Sequence, residues 1–199
     1  QFAASSAEVN AVERISSLGQ MLIFANNGIW TMKGNADGKV APTSLNIEPL
    51  SYEGSARVNP LTVGDNILFV QARGSKIREV RFDASRGGFA GYAGRDLSVF
   101  AQHLFDGYTI TELAYAEIPH ASVYALRSDG VLLLMTYMQE HEIWAWSRQV
   151  TGGVDDKVLS ICAIPEGNVD TLYALVQRDI GADGAEVTKY YIERMKPRN

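Results

Sequence analysis

Turn carboxylates are the residues of this chain with the most capacity for chemistry. Asp129, Asp155, Asp156, Asp170 and Asp183 all fall in stretches that read as turns. At the mouth of a propeller channel, two such carboxylates can cleave glycans, a pair about 5–10 Å apart dividing the acid and the base or nucleophile roles. Turns also select aspartate for a plainer reason, because its side chain bonds the local backbone. That plainer role is the expected one. The three histidines, His103, His120 and His141, are scattered. Glu140-His141-Glu142 comes nearest to a metal cluster, but no second histidine or cysteine is in register, so a solvated hairpin tip is expected. His103 is expected to cap or pack beside a helix, and Asp96 to cap that helix. Trp30, Trp144, Trp146 and the Tyr190-Tyr191 pair would stack on sugar rings if exposed, although strand aromatics more often pack. No P-loop, GxGxxG, GxSxG, HExxH or paired CxxC occurs. No catalytic, cofactor-binding or metal residue is therefore assigned, and no cofactor is expected.

The elements that must position these residues are read from a chain of 199 residues, 46% apolar and 21% charged. That balance can fill a sizeable core. A net charge of −5 argues against a dedicated nucleic-acid or membrane-surface binder, which would carry a basic patch. Cys162 is the single cysteine, so no internal disulfide forms, and its neighbours Ile161 and Ala163 predict a small buried hydrophobe. No apolar run approaches the ~20 residues of a membrane-spanning helix, and no membrane insertion is expected. No basic-then-apolar leader opens the chain. The first residue is Gln1 rather than Met, and a piece of a longer protein is expected.

Residues 122–149 give the clearest pattern. Ser122–Leu126, Val131–Met138 and Glu142–Arg148 read as three antiparallel strands, turned at Ser128-Asp129-Gly130 and at Gln139–His141. Val131-Leu132-Leu133-Leu134-Met135 is apolar on both faces, as a strand between two layers would be. The same plan recurs. Met21–Ala25 and Ile29–Met32 flank Asn26-Asn27-Gly28, where Asn27-Gly28 predicts a tight primed turn. Asn66–Ala72 and Lys76–Asp83 flank Arg73-Gly74-Ser75, and Lys76, Arg78, Glu79 and Arg81 predict a solvated strand face. Val158–Ile164 precedes a turn at Pro165-Glu166-Gly167, and Thr171–Arg178 pairs with Glu186–Met195 across Gly181–Gly184. Ser44–Leu50 and Ile110–Glu117 are further strands, Pro60–Val63 leads into a turn at Gly64-Asp65, and Val12–Ser16 fits a strand or a helical turn. Residues 1–10, 34–42 and 87–94 read as loops, and 196–199 as a frayed end. Over 96–105, Leu97, Phe100, Ala101, Leu104 and Phe105 share one stripe and predict a lone amphipathic helix stopped by Asp106-Gly107.

The turns near Gly28, Gly74, Gly130 and Gly184 are separated by 74 − 28 = 46, 130 − 74 = 56 and 184 − 130 = 54 residues. A period of ~40–50 with four short strands per unit marks a β-propeller. The predicted fold is all-β: a propeller-like array of about four antiparallel blades of three to four strands. The units run over roughly 10–50, 55–94, 110–150 and 155–196 within one domain. A two-sheet sandwich is the alternative.

Several blocks, in this order, resemble the tail nozzle or tail-tube proteins of short-tailed bacteriophages, also called phage stabilisation proteins. They are Leu22-Ile23-Phe24 with Gly28-Ile29-Trp30, then Tyr52-Glu53-Gly54-Ser55 with Pro60 and the run from Val63 to Val70. Ile77-Arg78-Glu79-Val80 with Phe82 follows, then Arg95-Asp96-Leu97 through His103-Leu104-Phe105. Arg127–Leu132 comes next, with Glu142 and Trp144-Ala145-Trp146, and Ile164–Gly167 with Asp170 closes the series. The resemblance implies a β-propeller-like region, assembly into a ring around the tail channel and no enzymatic activity. It also implies that family members are longer than this chain. The expected partners are other phage tail proteins and further copies of the chain in a homo-oligomeric ring in the virion. DNA would pass through the channel without specific binding, since an acidic wall repels phosphate. A carbohydrate- or receptor-binding propeller is the first alternative, and a glycan hydrolase the second.

Overall fold

Apolar runs punctuated by Gly, Asn and Asp turns fold into four antiparallel sheets of three or four strands, and the fold is all-β. A computed structural model describes residues 11–34, 46–83, 88–89, 94–153, 155–181 and 187–196. The sequence readings at 1–10 and 197–199, most of the loops at 34–42 and 87–94, and Asp183 with most of the Gly181–Gly184 turn lie outside the described residues. The chain divides into two compact units, Gln1–Phe100 and Ala101–Asn199.

In the first unit, β1 (Val12–Leu18), β2 (Gln20–Ala25), β3 (Gly28–Lys33) and β4 (Asn46–Ser51) form one meander. β5 (Leu61–Val63), β6 (Asn66–Val70), β7 (Ile77–Asp83) and β8 (Gly88–Phe89) form the second. Leu22, Phe24 and Ile29 pack on Ile67, Phe69 and Val80. The Phe24 and Phe69 rings lie 5.5 Å apart at 51°. Each such fully buried side chain contributes about 1.5–3 kcal/mol.

The second unit repeats the plan. β9 (Ile110–Ala116), β10 (Ser122–Arg127), β11 (Leu132–Met138) and β12 (Ile143–Gln149) form a four-stranded meander. β13 (Lys157–Glu166), β14 (Val169–Asp179) and β15 (Thr188–Arg194) form a three-stranded one. Ala114, Tyr124, Leu126 and Leu134 pack on Val158, Ile161, Leu172 and Val176. The alternate residues Val123, Ala125, Leu133 and Met135 are also buried, so β10 and β11 bury both faces, as the apolar run predicts. The repeat is real at the level of strands. Gly74 and Gly130 sit between the second and third strands of their sheets, and Gly28 opens the third strand of its own.

Local predictions fail where backbone and packing compete. Asn26 and Asn27 form the two-residue loop between Ala25 and Gly28, and none of the three Asn26-Asn27-Gly28 residues has a positive φ. The primed turn is absent. Gly28 answers instead to close approach, since a Cβ there would lie 2.7 Å from the Ser51 carbonyl oxygen. The expected amphipathic helix is a 3-10 helix, Val99–Leu104, broken at Ala101 (φ −127°, ψ 28°). Leu97, Ala101 and Phe105 are buried, but the break turns Phe100 outward to 92% exposure. Asp96 does not cap the helix: it bridges Arg78 three residues before the helix begins and accepts the Ser98 N–H at 2.9 Å in a local turn. Val12–Ser16 is strand, Gly88–Phe89 adds a short strand where a loop was expected, and the turn after Pro165 falls at Gly167, with Pro165 and Glu166 still in β13.

Cys162 is exposed, not buried. Ile161 faces Val158 and Leu172 in the core, and strand alternation sends its neighbour to the opposite face. The charged set of β7 is not one solvated face either. Glu79 is buried, and Arg78 is held by Glu53 at 2.8 Å and by Gln71 at 2.9 Å.

Candidate functional site

The turn carboxylates are brought to structural posts. Asp170 accepts the backbone N–H groups of Glu117 (2.7 Å) and Ile118 (3.1 Å), which joins β14 to the loop after β9. Asp129 bonds the buried Arg127 through Nε (3.0 Å) and Nη2, and accepts the Val131 N–H at 3.3 Å. The same guanidinium donates to the Leu104 carbonyl at 2.9 Å and lies 3.4 Å over the Tyr108 ring. Arg127 holds the Asp129 carboxyl below its usual range. Asp156 accepts from Arg178 at 2.5 Å and from the Gly153 N–H at 3.0 Å. Asp155 is exposed. Chemically, Asp129, Asp156 and Asp170 are anions already matched to guanidinium or backbone donors.

Two further carboxylates, which sequence reasoning passed over, do similar work. Glu112 on β9 accepts the Ile161 N–H at 2.7 Å and the Ser160 hydroxyl at 3.0 Å, linking the two sheets of the second unit. Glu166 collects Arg194 at 2.6 and 2.8 Å, Thr171 at 3.2 Å and the Tyr173 hydroxyl. The Arg194 hydrogen bonds, then that of Tyr173, lower its pKa to about 2. The bonding partners can be read only once β13, β14 and β15 are in register.

His103, His120 and His141 are all exposed, so His103 does not pack as expected. Among the described residues no group of three His, Cys, Asp or Glu side chains could hold a metal ion. Glu140-His141 forms the expected exposed hairpin tip, a short 3-10 turn whose Glu142 end has φ 54°. A shallow cavity of about 40 Å³ lies beside Ile118, His120, Tyr124 and Met195, too small for a sugar ring. A broad polar groove of about 610 Å³ in the first unit is lined by Glu53, Arg57, Arg73 and the 85% exposed Tyr52. Trp30, Trp144 and Trp146 are half-buried, and Trp146 meets Phe105 edge-on at 5.0 Å.

Of the aromatics that the sequence offers for stacking, Tyr190 and Tyr191 on β15 are the ones that reach solvent. Tyr190 is 62% and Ile192 80% exposed. They continue an apolar outer face of the fourth sheet that includes Cys162, Ile164 and Leu175, all exposed. The first sheet likewise leaves Ile15 and Met21 exposed on its outer face. The Glu166–Tyr173–Arg194 cluster shares that face, and exposed apolar residues gathered beside it are of the kind that marks contact sites on proteins. The chain matches no protein-family model and no curated protein sequence.

Proposed function

We propose that this chain is a non-enzymatic structural component of a bacteriophage tail, of the nozzle or tube type, acting by protein–protein assembly. The observation that carries the assembly reading is the uncovered apolar outer face of β13–β15, with its open edge at β15. Burial of that face on a neighbour would add stability at about 25 cal/mol per Å² of apolar area. The phage reading rests on the ordered resemblance to tail nozzle proteins, whose blocks fall largely on strands and turns of the meanders. Ring assembly follows from a heterologous contact repeated until it closes. The acidic net charge suits a channel through which DNA passes without binding.

Immunogold labelling of phage particles, with antibodies raised against the 199-residue chain, tests this reading. Gold at the tail is the expected result. Unlabelled particles, with antigen confined to the lysate, would overturn it.

One observation favours a second reading, a carbohydrate- or receptor-binding module. Exposed Tyr52 stands at the polar groove beside Glu53 and Arg57, an aromatic platform with hydrogen-bonding neighbours. A glycan array that gives signal with the native chain and none with Tyr52→Ala would support it, and a silent array would remove it.

A further inference from the structure

Three of the four sheets have four strands and the last has three. The missing position lies beside β15. Backbone parity defines what is open there. The Val187 carbonyl accepts the Ile180 N–H at 3.0 Å, and the Met195 N–H donates to the Leu172 carbonyl at 2.8 Å. In an antiparallel ladder alternate residues face the partner strand. The odd-numbered residues of β15 therefore bond β14, and Thr188, Tyr190, Ile192 and Arg194 aim their N–H and C=O groups outward. No described strand pairs with that edge.

Natural sheet edges are blunted by shortness, bulges, proline or charged side chains, and on β15 the charges of Lys189 and Glu193 are of opposite sign. Here β5 spans three residues and β8 two. β1, β4, β9 and β13 each carry a register shift, and Pro49 and Pro165 lie in two of them. Among the described edge strands only β12 and β15 present an unbroken seven-residue register, and β12 already completes a four-stranded sheet.

We infer that β15 pairs antiparallel with β15 of a second copy of this chain, about a two-fold axis at Tyr191. The sequence Thr188-Lys189-Tyr190-Tyr191-Ile192-Glu193-Arg194 is self-complementary in that register. Tyr190 faces Ile192 of the second copy in hydrogen-bonded pairs, and Thr188 faces Arg194, so every outward N–H and C=O gains a partner. On the other face Lys189 lies opposite Glu193 of the second copy, twice, and Tyr191 opposite its own equivalent. Directly opposed residues bring Cβ atoms to about 4.5–5.5 Å, where opposite charges and aromatic–β-branched pairs stabilise. Within one chain Lys189 lies directly across from Arg178, a like-charge pair, while Arg178 forks onto Glu193. Pairing sets the second copy's Glu193 beside Lys189 and gives it a counter-charge. A two-residue shift, which keeps the same amides facing outward, would place Lys189 against Tyr191 or Met195 of the second copy, so the charges also fix the register. This contact is isologous, distinct from a head-to-tail ring contact, and it does not depend on the tail reading.

Sedimentation velocity on a dilution series of the 199-residue chain tests the pairing. The expected result is a monomer–dimer equilibrium. Lys189→Glu and Glu193→Lys should each weaken the dimer at least about tenfold, by opposing like charges. An equimolar mixture of the two should restore it, because each mixed pair is again opposite in charge. Ile192→Pro should abolish the dimer and, at dilutions where the wild type is monomeric, leave the circular dichroism melt unchanged, since the N–H that it removes faces away from β14. If Glu193→Lys fails to fold after losing Arg178, the Lys189→Glu and Ile192→Pro chains decide the matter alone. A wild-type chain that stays monomeric at every concentration overturns the inference, as does an undiminished dimer in Ile192→Pro or a folded charge-swapped mixture that remains monomeric.

Discussion

The two sheets of the second unit share a core but differ in how much of themselves they cover. β10 and β11 bury both faces, from Val123 to Met135, with β9 and β12 on either side. β13–β15 bury one face, through Val158, Ile161, Leu172 and Val176, and leave the other to solvent with one strand fewer. A sheet covered on both faces is framework. A sheet covered on one face, with a long regular edge, has surface left that a neighbour could cover. The stability of the unit should therefore be concentrated in β10–β11, and its capacity to associate in β15.

The largest effect should come from the framework sheet. Leu133→Ala removes a side chain with no exposure and should cost about 2–5 kcal/mol in chemical denaturation. A cost below about 1 kcal/mol would mean that this face is not packed as described. Arg127→Ala should cost about 1–3 kcal/mol, because it strands the Asp129 carboxylate and the Leu104 carbonyl. Trp144→Ala should stay below about 3 kcal/mol, since its ring is half-buried on β12 and not enclosed.

On the open sheet the expected effects are smaller. Glu166 has its pKa lowered from 4.5 to about 2, so it stabilises the folded chain above pH 4.5, and that stabilisation fades as the pH falls toward 2. Glu166→Gln should melt lower than wild type near neutrality and coincide with it near pH 2. Parallel melts across that window would contradict the pairing with Arg194. Ile192→Ser, at 80% exposure, should change the stability of the isolated chain by no more than about 0.5 kcal/mol. A larger loss would show that the outer face is already covered in solution.

The meanders were legible because their signals are local. Asp129-Gly130 turns where the sequence places it, with φ +89° at Gly130, and the doubly apolar Val131–Met135 run is buried on both sides. Signals that depend on register were not legible. Cys162 has apolar neighbours in sequence, yet period two sends it outward once Ile161 takes the core. Asn27-Gly28 has the composition of a primed turn, but the demand at Gly28 is for space beside Ser51. The 96–105 stripe has helical spacing, yet the chain breaks at Ala101 and Phe100 leaves the core. The Tyr190-Tyr191 pair stands out in the sequence only as a candidate for stacking on sugars, not as part of the β15 edge through which the chain is proposed to pair. Reading that edge requires the parity of the β14–β15 ladder and the missing neighbour, and neither is a property of a single strand.

Hydrogen–deuterium exchange at two protein concentrations tests most directly whether the fourth sheet is completed through β15. The amides of Lys189, Tyr191 and Glu193, bonded to β14, should be protected at both concentrations. Those of Thr188, Tyr190, Ile192 and Arg194 should exchange fast in dilute solution and slow markedly at high concentration. Equal and rapid exchange of these four amides at both concentrations would contradict the account.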